Sequence, residues 1–287
     1  MTLTRRQFFA HSAVVATTGA SAAYLPATLA AEQSEPLPIV DCHQHLWDLT
    51  KFKLSWLQPG TLLGKSYQMD DYLKAAEGLG IDRAVYMEVD VVPEQQLAEA
   101  EALIEVCKSG KFPTVAGVIS GRPEEAAFES YIRKLAKSPY IKGVRQVLHA
   151  ATAKPGMCLA PEFVRGIRLL GELGLSYDLC MRPTELSDGA KLVELCPDTR
   201  FILDHCGNID PTAKASYVER WKKDIAALAA RKNIICKISG IVARVPKEWS
   251  AADLATPINH CLDSFGPDRV IFGSDWPVCL EIGRAHV

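Results

Sequence analysis

The chain has 287 residues, 48% of them hydrophobic and 23% charged, with a formal net charge of −2. That length and apolar fraction suit one large globular domain, or two small ones, with ample core. Near-neutral charge, no basic stripe and scattered aromatics exclude an electrostatic or base-stacking case for nucleic acid as a partner.

In chain order, Thr4, Arg5, Arg6, Gln7, Phe8 and Phe9 precede a weakly apolar, Ala-rich stretch from Ala10 to Ala31. The pattern is that of a twin-arginine export signal ending near Ala30 or Ala31. Residues 1–31 are therefore expected to direct the protein to the periplasm, with no stable membrane anchor after cleavage. His11, Ser12, Gly19 and Pro26 make the stretch a poor transmembrane span.

From residue 37, apolar runs of strand length alternate with amphipathic segments. Eight strands are expected: Pro38–His43, Arg83–Val89, Thr114–Ser120, Ile141–Val147, Leu175–Cys180, Arg200–His205, Asn233–Ser239 and Arg269–Ser274. Several intervening helices open on proline, as first helical turns favour: Pro93 before Gln95–Lys108, Pro123 before Ala126–Lys137, and Pro161 before Phe163–Leu173. Continuous apolar strands indicate a parallel sheet covered on both faces, and eight β/α repeats indicate a (β/α)8 TIM barrel over residues 37–280. A doubly wound open sheet is the alternative, but no Gly-x-Gly-x-x-Gly follows the first strand.

The nine cysteines are odd in number, include no Cys-x-x-Cys, and sit largely in or beside apolar strands, so buried free thiols are expected rather than disulfides. The last seven residues, Glu281 to Val287, correspond to one reading frame of a common short-read sequencing adapter. Residues 281–287 are therefore expected to be read-through, leaving a barrel without its eighth helix and an apolar flank beside strands one and eight.

The chemistry is expected at the C-terminal strand ends. His43 and His45 close the first strand; alternate residues share a face, so the two rings project together from positions about 7 Å apart along the chain. Such a pair grips either one metal ion or one polar substrate. Asp41 on the same face either orients an imidazole or binds backbone amides. Asp275, after the last strand, suits metal ligation, proton abstraction from water, or both, against the plainer role of a helix cap. His205 is a third ligand, a substrate contact or a core histidine. Arg145 offers a planar fork for a carboxylate or polarised carbonyl, with a structural ion pair as the competing role. Lys237, Ser239, His149 and Glu88 are weaker candidates. In the loop Leu46–Gln68, Trp47, Trp56 and Tyr67 either cap a pocket for a sugar face or pack on the rim.

At these residues the chain resembles the amidohydrolase superfamily, in its amidohydrolase-related branch that includes sugar lactonases. The motifs that carry the resemblance are Val40 to Asp48, Trp56-Leu57, Lys142-Gly143-Val144-Arg145, Leu203 to Gly207, Lys237 to Gly240 and Gly273 to Pro277. The resemblance implies a barrel hydrolase that opens an aldonolactone to an aldonic acid, with a small-molecule lactone or sugar acid as its partner. It places His43, His45, His205 and Asp275 at the family's active-site positions; together with the residue reading above, the expectation is His43, His45 and Asp275 as metal positions and Asp275, His205 and Arg145 as catalytic. Arg145, His205, Lys237 and Trp47 would contact substrate. The fifth strand lacks the His, and the fourth the bridging Lys or Glu, of a two-metal centre. The expectation is therefore one divalent ion, zinc by preference, or activity without a metal. A decarboxylase of the same superfamily and a non-catalytic sugar-acid binder are the alternatives.

Overall fold

Each of the eight apolar, β-branched runs becomes a strand in the computed structural model, which describes residues 37–281. The strands are β1 (Ile39–Gln44), β2 (Ile81–Met87), β3 (Thr114–Ser120), β4 (Ile141–Val147), β5 (Ser176–Cys180), β6 (Arg200–Leu203), β7 (Ile234–Ile238) and β8 (Val270–Phe272). They pair in parallel in the order β1-β2-β3-β4-β5-β6-β7-β8. One main helix lies between each successive pair: α1 (Met69–Ala76), α2 (Gln96–Ser109), α3 (Phe128–Leu135), α4 (Pro161–Glu172), α5 (Leu186–Leu195), α6 (Ala215–Ala229) and α7 (Ala251–Phe265). Pro161 occupies the first turn of α4 as expected, and a Ser250–Asp253 capping box opens α7. The helix expected from Ala126 starts two residues later, at Phe128.

Closure occurs at the C-terminal end of the barrel. The Asp275 amide donates to the His43 carbonyl at 2.9 Å, and the His45 amide to the Trp276 carbonyl at 2.8 Å. The buried Asp41 carboxylate fastens the same seam. Its Oδ1 accepts from the amides of Ser274 (2.7 Å) and His43 (3.1 Å), while its Oδ2 accepts from Ser274 Oγ (2.6 Å) and Tyr72 Oη (2.9 Å). Asp41 therefore binds backbone and hydroxyl donors and holds the seam that carries His43 and Asp275.

The last three strands are shorter than the sequence suggests, and for β6 and β8 the backbone gives the reason. His205 and Cys206 adopt φ of 54° and 51°, and Asp275 adopts φ of 58°, which ends the ladder ahead of these side chains. All positive-φ non-glycine residues among those described (Asp90, His205, Cys206, Asn208 and Asp275) follow the C-terminal ends of β2, β6 and β8. Each conformation costs roughly 1–2 kcal/mol, and clustering of such strain at one end of a barrel points to a functional site there.

The nine cysteines are free, seven of them buried. Val40 on β1 and Phe272 on β8 remain 44% and 49% exposed. Among the described residues only a 3-10 turn, Val278–Glu281, follows β8, and no helix is long and apolar enough to cross a membrane. The export-signal expectation for 1–31, and all but Glu281 of the read-through expectation, lie outside the described residues.

Candidate active site

Strand β1 presents His43 from its interior face, and His45 follows at its end. The two Nε2 atoms approach to 3.2 Å. Asp275, carried by the turn after β8, brings Oδ1 to 3.4 Å from His43 Nε2 and 3.2 Å from His45 Nε2. These three atoms form a nearly equilateral triangle, of which His45 and Asp275 line a cavity of about 740 Å³. His205 lies beside them, its ring centroid 4.7 Å from that of His43. Its Nδ1 is 2.9 Å from Ser239 Oγ, which fixes the ring.

The tautomer of His45 follows from its partner. Nδ1 lies 3.0 Å from the Met87 carbonyl, which can only accept, so Nδ1 carries a proton and Nε2 faces the triangle. His43 is bordered by cations on both sides: Lys237 Nζ is 3.3 Å from Nδ1, and Arg145 Nη1 is 3.3 Å from Nε2. Burial, then Lys237, His205, His45 and Arg145, hold its pKa well below the ordinary histidine value, so it is neutral near pH 7. Burial works against ionisation of Asp275, but the facing His205, His45 and Arg145 outweigh it and keep the carboxyl below its usual range.

Carboxylates behind this layer fix the cations. Glu88 takes Arg145 Nε at 2.6 Å, and the Glu88 carbonyl takes Nη2 at 2.7 Å. Lys237 donates to Asp178 (2.7 Å) and Asp204 (3.0 Å), and its ammonium also stands beside His43 Nδ1. Burial and the neighbouring Asp204 push Asp178 up to about 7 despite Lys237. Burial would raise Asp204 too, but Lys237, His205 and Arg145 together hold it at about 2.

The structure thus brings His43, His45, His205, Arg145 and Asp275 to one place, as the sequence motifs suggest, and sets Ser239 and Glu88 as their supports. Two expectations are corrected. Lys237 is 2% exposed and lies behind His43, so it does not contact a ligand in the cavity: its ammonium is consumed by two buried carboxylates. Trp47 is also 2% exposed, its indole N–H donating to the Lys65 carbonyl at 2.6 Å while its ring packs edge-on to Trp56 and Tyr67. The indole that lines the cavity is Trp56, anchored by its N–H to the Val89 carbonyl. His149 also lines the cavity, with its pKa lowered to about 4 by burial and then by His205 and the arginines around it. Sequence reasoning missed Asp178 as a support, because a lone acid within an apolar strand carries no local sign of its partner on β7.

The triangle passes a size test for a divalent ion. Ligand atoms on a tetrahedral zinc with bonds of about 2.0–2.1 Å stand roughly 3.3 Å apart, against the observed 3.2 to 3.4 Å. The carbonyl behind His45 is the usual support for a metal-binding imidazole. An ion there would need the His43 Nε2 lone pair, and so the tautomer with its proton on Nδ1.

Comparison with known proteins gives one consistent family. The amidohydrolase family profile matches residues 40–285. The chain is 28% identical over 261 residues to an L-fucono-1,5-lactonase of Burkholderia multivorans, covering 84% of this chain and 82% of that protein. It is 25% identical to an L-rhamnono-gamma-lactonase of Scheffersomyces stipitis, covering 84% and 85%. A solved amidohydrolase structure from Burkholderia multivorans with bound zinc superposes with a TM-score of 0.75 at 23% identity, covering 86% and 87% of the two chains. The profile spans most of the chain and the lactonase relatives agree with it: the chain belongs to the amidohydrolase family and is a hydrolase.

Proposed function

We propose that this hydrolase opens a lactone ring to the hydroxy acid by water attack, with Asp275 as general base. The observation that carries the reading is the position of Asp275. It is an ionised, 3%-exposed carboxylate on the cavity, within 3.4 Å of two imidazole nitrogens and backed by the fixed Arg145 cation. The lactonase relatives support the reaction class.

In this reading Asp275 takes a proton from water as its oxygen bonds to the lactone carbonyl carbon. Arg145, with His43 and His205 around it, stabilises the negative charge that develops on the carbonyl oxygen. Because Glu88 and Asp204 hold Arg145 before substrate enters, that charge needs no reorganisation during the reaction. The tetrahedral intermediate then collapses, the ring C–O bond breaks, and Asp275 returns its proton to the leaving alkoxide. Product is the ring-opened hydroxy acid, which ionises and releases one proton at neutral pH. A divalent ion, zinc by this nitrogen and oxygen donor set, would be held by His43, His45 and Asp275 and would supply Lewis-acid polarisation of the carbonyl.

The test is a panel of sugar and unsaturated lactones with purified protein, followed by proton release, beside carbon dioxide detection on unsaturated carboxylates. Proton release without carbon dioxide is expected. Carbon dioxide release with no lactone turnover would assign a decarboxylase instead. Metal content by elemental analysis, before and after chelation, establishes which ion the triangle holds.

A further inference from the structure

Most of the formal charges at the cavity already have partners. Arg145 is bound by Glu88 and faces Asp204, Asp90 is paired with Arg122 at 2.9 Å, and Asp275 belongs to the histidine triangle. Arg244 differs. It ends the short turn Ile241–Arg244 after β7 and lines the cavity half-buried. Its hydrogen bond is to a neutral group, Nη2 donating to Asn208 Oδ1 at 3.2 Å, and among the described residues no carboxylate pairs with it within 4.0 Å. Asn208 is itself held by donation from Nδ2 to the Met181 carbonyl at 3.0 Å. A guanidinium is therefore held at the cavity by a neutral amide rather than by a carboxylate.

The position is close to the chemistry. Arg244 lies four residues beyond Gly240, where an added Cβ would stand 2.9 Å from Asp275 Oδ2, so the same short loop forms the wall beside the base. His149, reaching the cavity from beyond β4, stands near the guanidiniums of Arg145, Arg244 and Arg182. Trp56, Leu57, Leu63 and Val89 form an apolar part of the lining. The cavity thus offers an apolar wall, a reaction centre and one unspent fork of N–H donors. A neutral sugar lactone would give that fork only hydroxyls, whereas a carboxylate matches its geometry and discharges it.

We propose that the lactone this site takes bears a carboxylate substituent, and that Arg244 is the residue that recognises it. The inference rests on the lactonase reading and narrows it from neutral aldonolactones to anionic ones.

The test compares a carboxylate-bearing five-membered lactone with its carboxamide, which has the same shape and no charge. The wild-type protein is expected to prefer the carboxylate by about tenfold to a hundredfold in kcat/KM, the range for a hydrogen bond to a charged group. In Arg244→Gln the preference should fall to within about twofold, chiefly through KM, and Arg244→Lys, which keeps the charge but not the fork, should fall between. Calorimetry with the ring-opened dicarboxylate and its monoamide gives the same comparison without turnover. Equal kcat/KM for the two lactones in the wild-type protein, or a preference that survives Arg244→Gln, overturns the proposal while leaving the lactonase reading intact. Arg244-dependent binding of the dicarboxylate with no turnover of either lactone overturns the lactonase reading and keeps the anion site.

Discussion

Gly240 is the position where one methyl group should separate catalysis from folding. Its φ is +65°, and a Cβ placed there would overlap His205 Nδ1 and stand 2.9 Å from Asp275 Oδ2. In Gly240→Ala the left-handed backbone alone costs roughly 1–2 kcal/mol. Relieving the overlap moves His205 off Ser239, forfeiting a hydrogen bond of 2.9 Å worth about 1 kcal/mol. The sum, roughly 2–3 kcal/mol, corresponds to a Tm lowered by about 5–10 °C in a barrel of this size. Displacement of His205 or Asp275 by about 1 Å should reduce kcat by about a hundredfold. Gly110→Ala is the control: its φ is +60° at the end of α2, and an added Cβ meets nothing within 4 Å. It should lose the backbone contribution and keep full activity. Thermal unfolding and steady-state hydrolysis, measured on both variants well below either Tm, separate the effects. Undiminished turnover in Gly240→Ala, or equal losses in the two variants, would refute the reasoning.

Two further predictions concern the buried charges. Lys237→Met removes the ammonium shared by Asp178 and Asp204 and should destabilise the fold by about 3–5 kcal/mol. Without that cation both carboxyls are pushed up in the folded state, so the loss should be smaller at pH 5 than at pH 8, and denaturant titrations at the two pH values would measure it. A loss below about 0.5 kcal/mol at pH 8, typical of a surface site, would mean that Lys237 does not neutralise the pair. Glu99, fully buried against Tyr86 Oη (2.9 Å) and the Val89 amide (2.8 Å), has its pKa raised by burial and then by Glu88 to about 8. A folded pKa above the unfolded one gives stability that is complete below the unfolded value of about 4.5 and lost as pH rises through about 8. Glu99→Gln should therefore gain stability relative to wild type as pH rises across that window, by at most about 1.4 kcal/mol for each pH step of one. A difference independent of pH would contradict an uncharged Glu99.

The sequence makes legible what period and position encode. Continuous apolar runs such as Thr114–Ser120 and Ile141–Val147 become strands with those bounds. Because alternate residues share a face, His43 and His45 can be placed together from the sequence alone, and the motif after the last strand adds Asp275 beside them. What stays hidden depends on partners distant in the chain. Glu88 matters through Arg145, 57 residues away, and Asp178 through Lys237, 59 residues away. Neither acid carries a local signal, so Lys237 reads as a ligand-binding cation when its charge is already spent. The loop after β1 shows the same limit. Trp47 and Trp56 are equivalent in composition, and only the fold turns one inward against Lys65 and leaves the other on the cavity.

The most direct test of the account is Asp275→Asn, assayed for lactone opening together with affinity for the ring-opened acid. Asn keeps the shape and removes the base, so kcat should fall by about 10²–10⁴-fold while product affinity changes only a few-fold. Turnover within tenfold of wild type would contradict the assignment of Asp275 as the base.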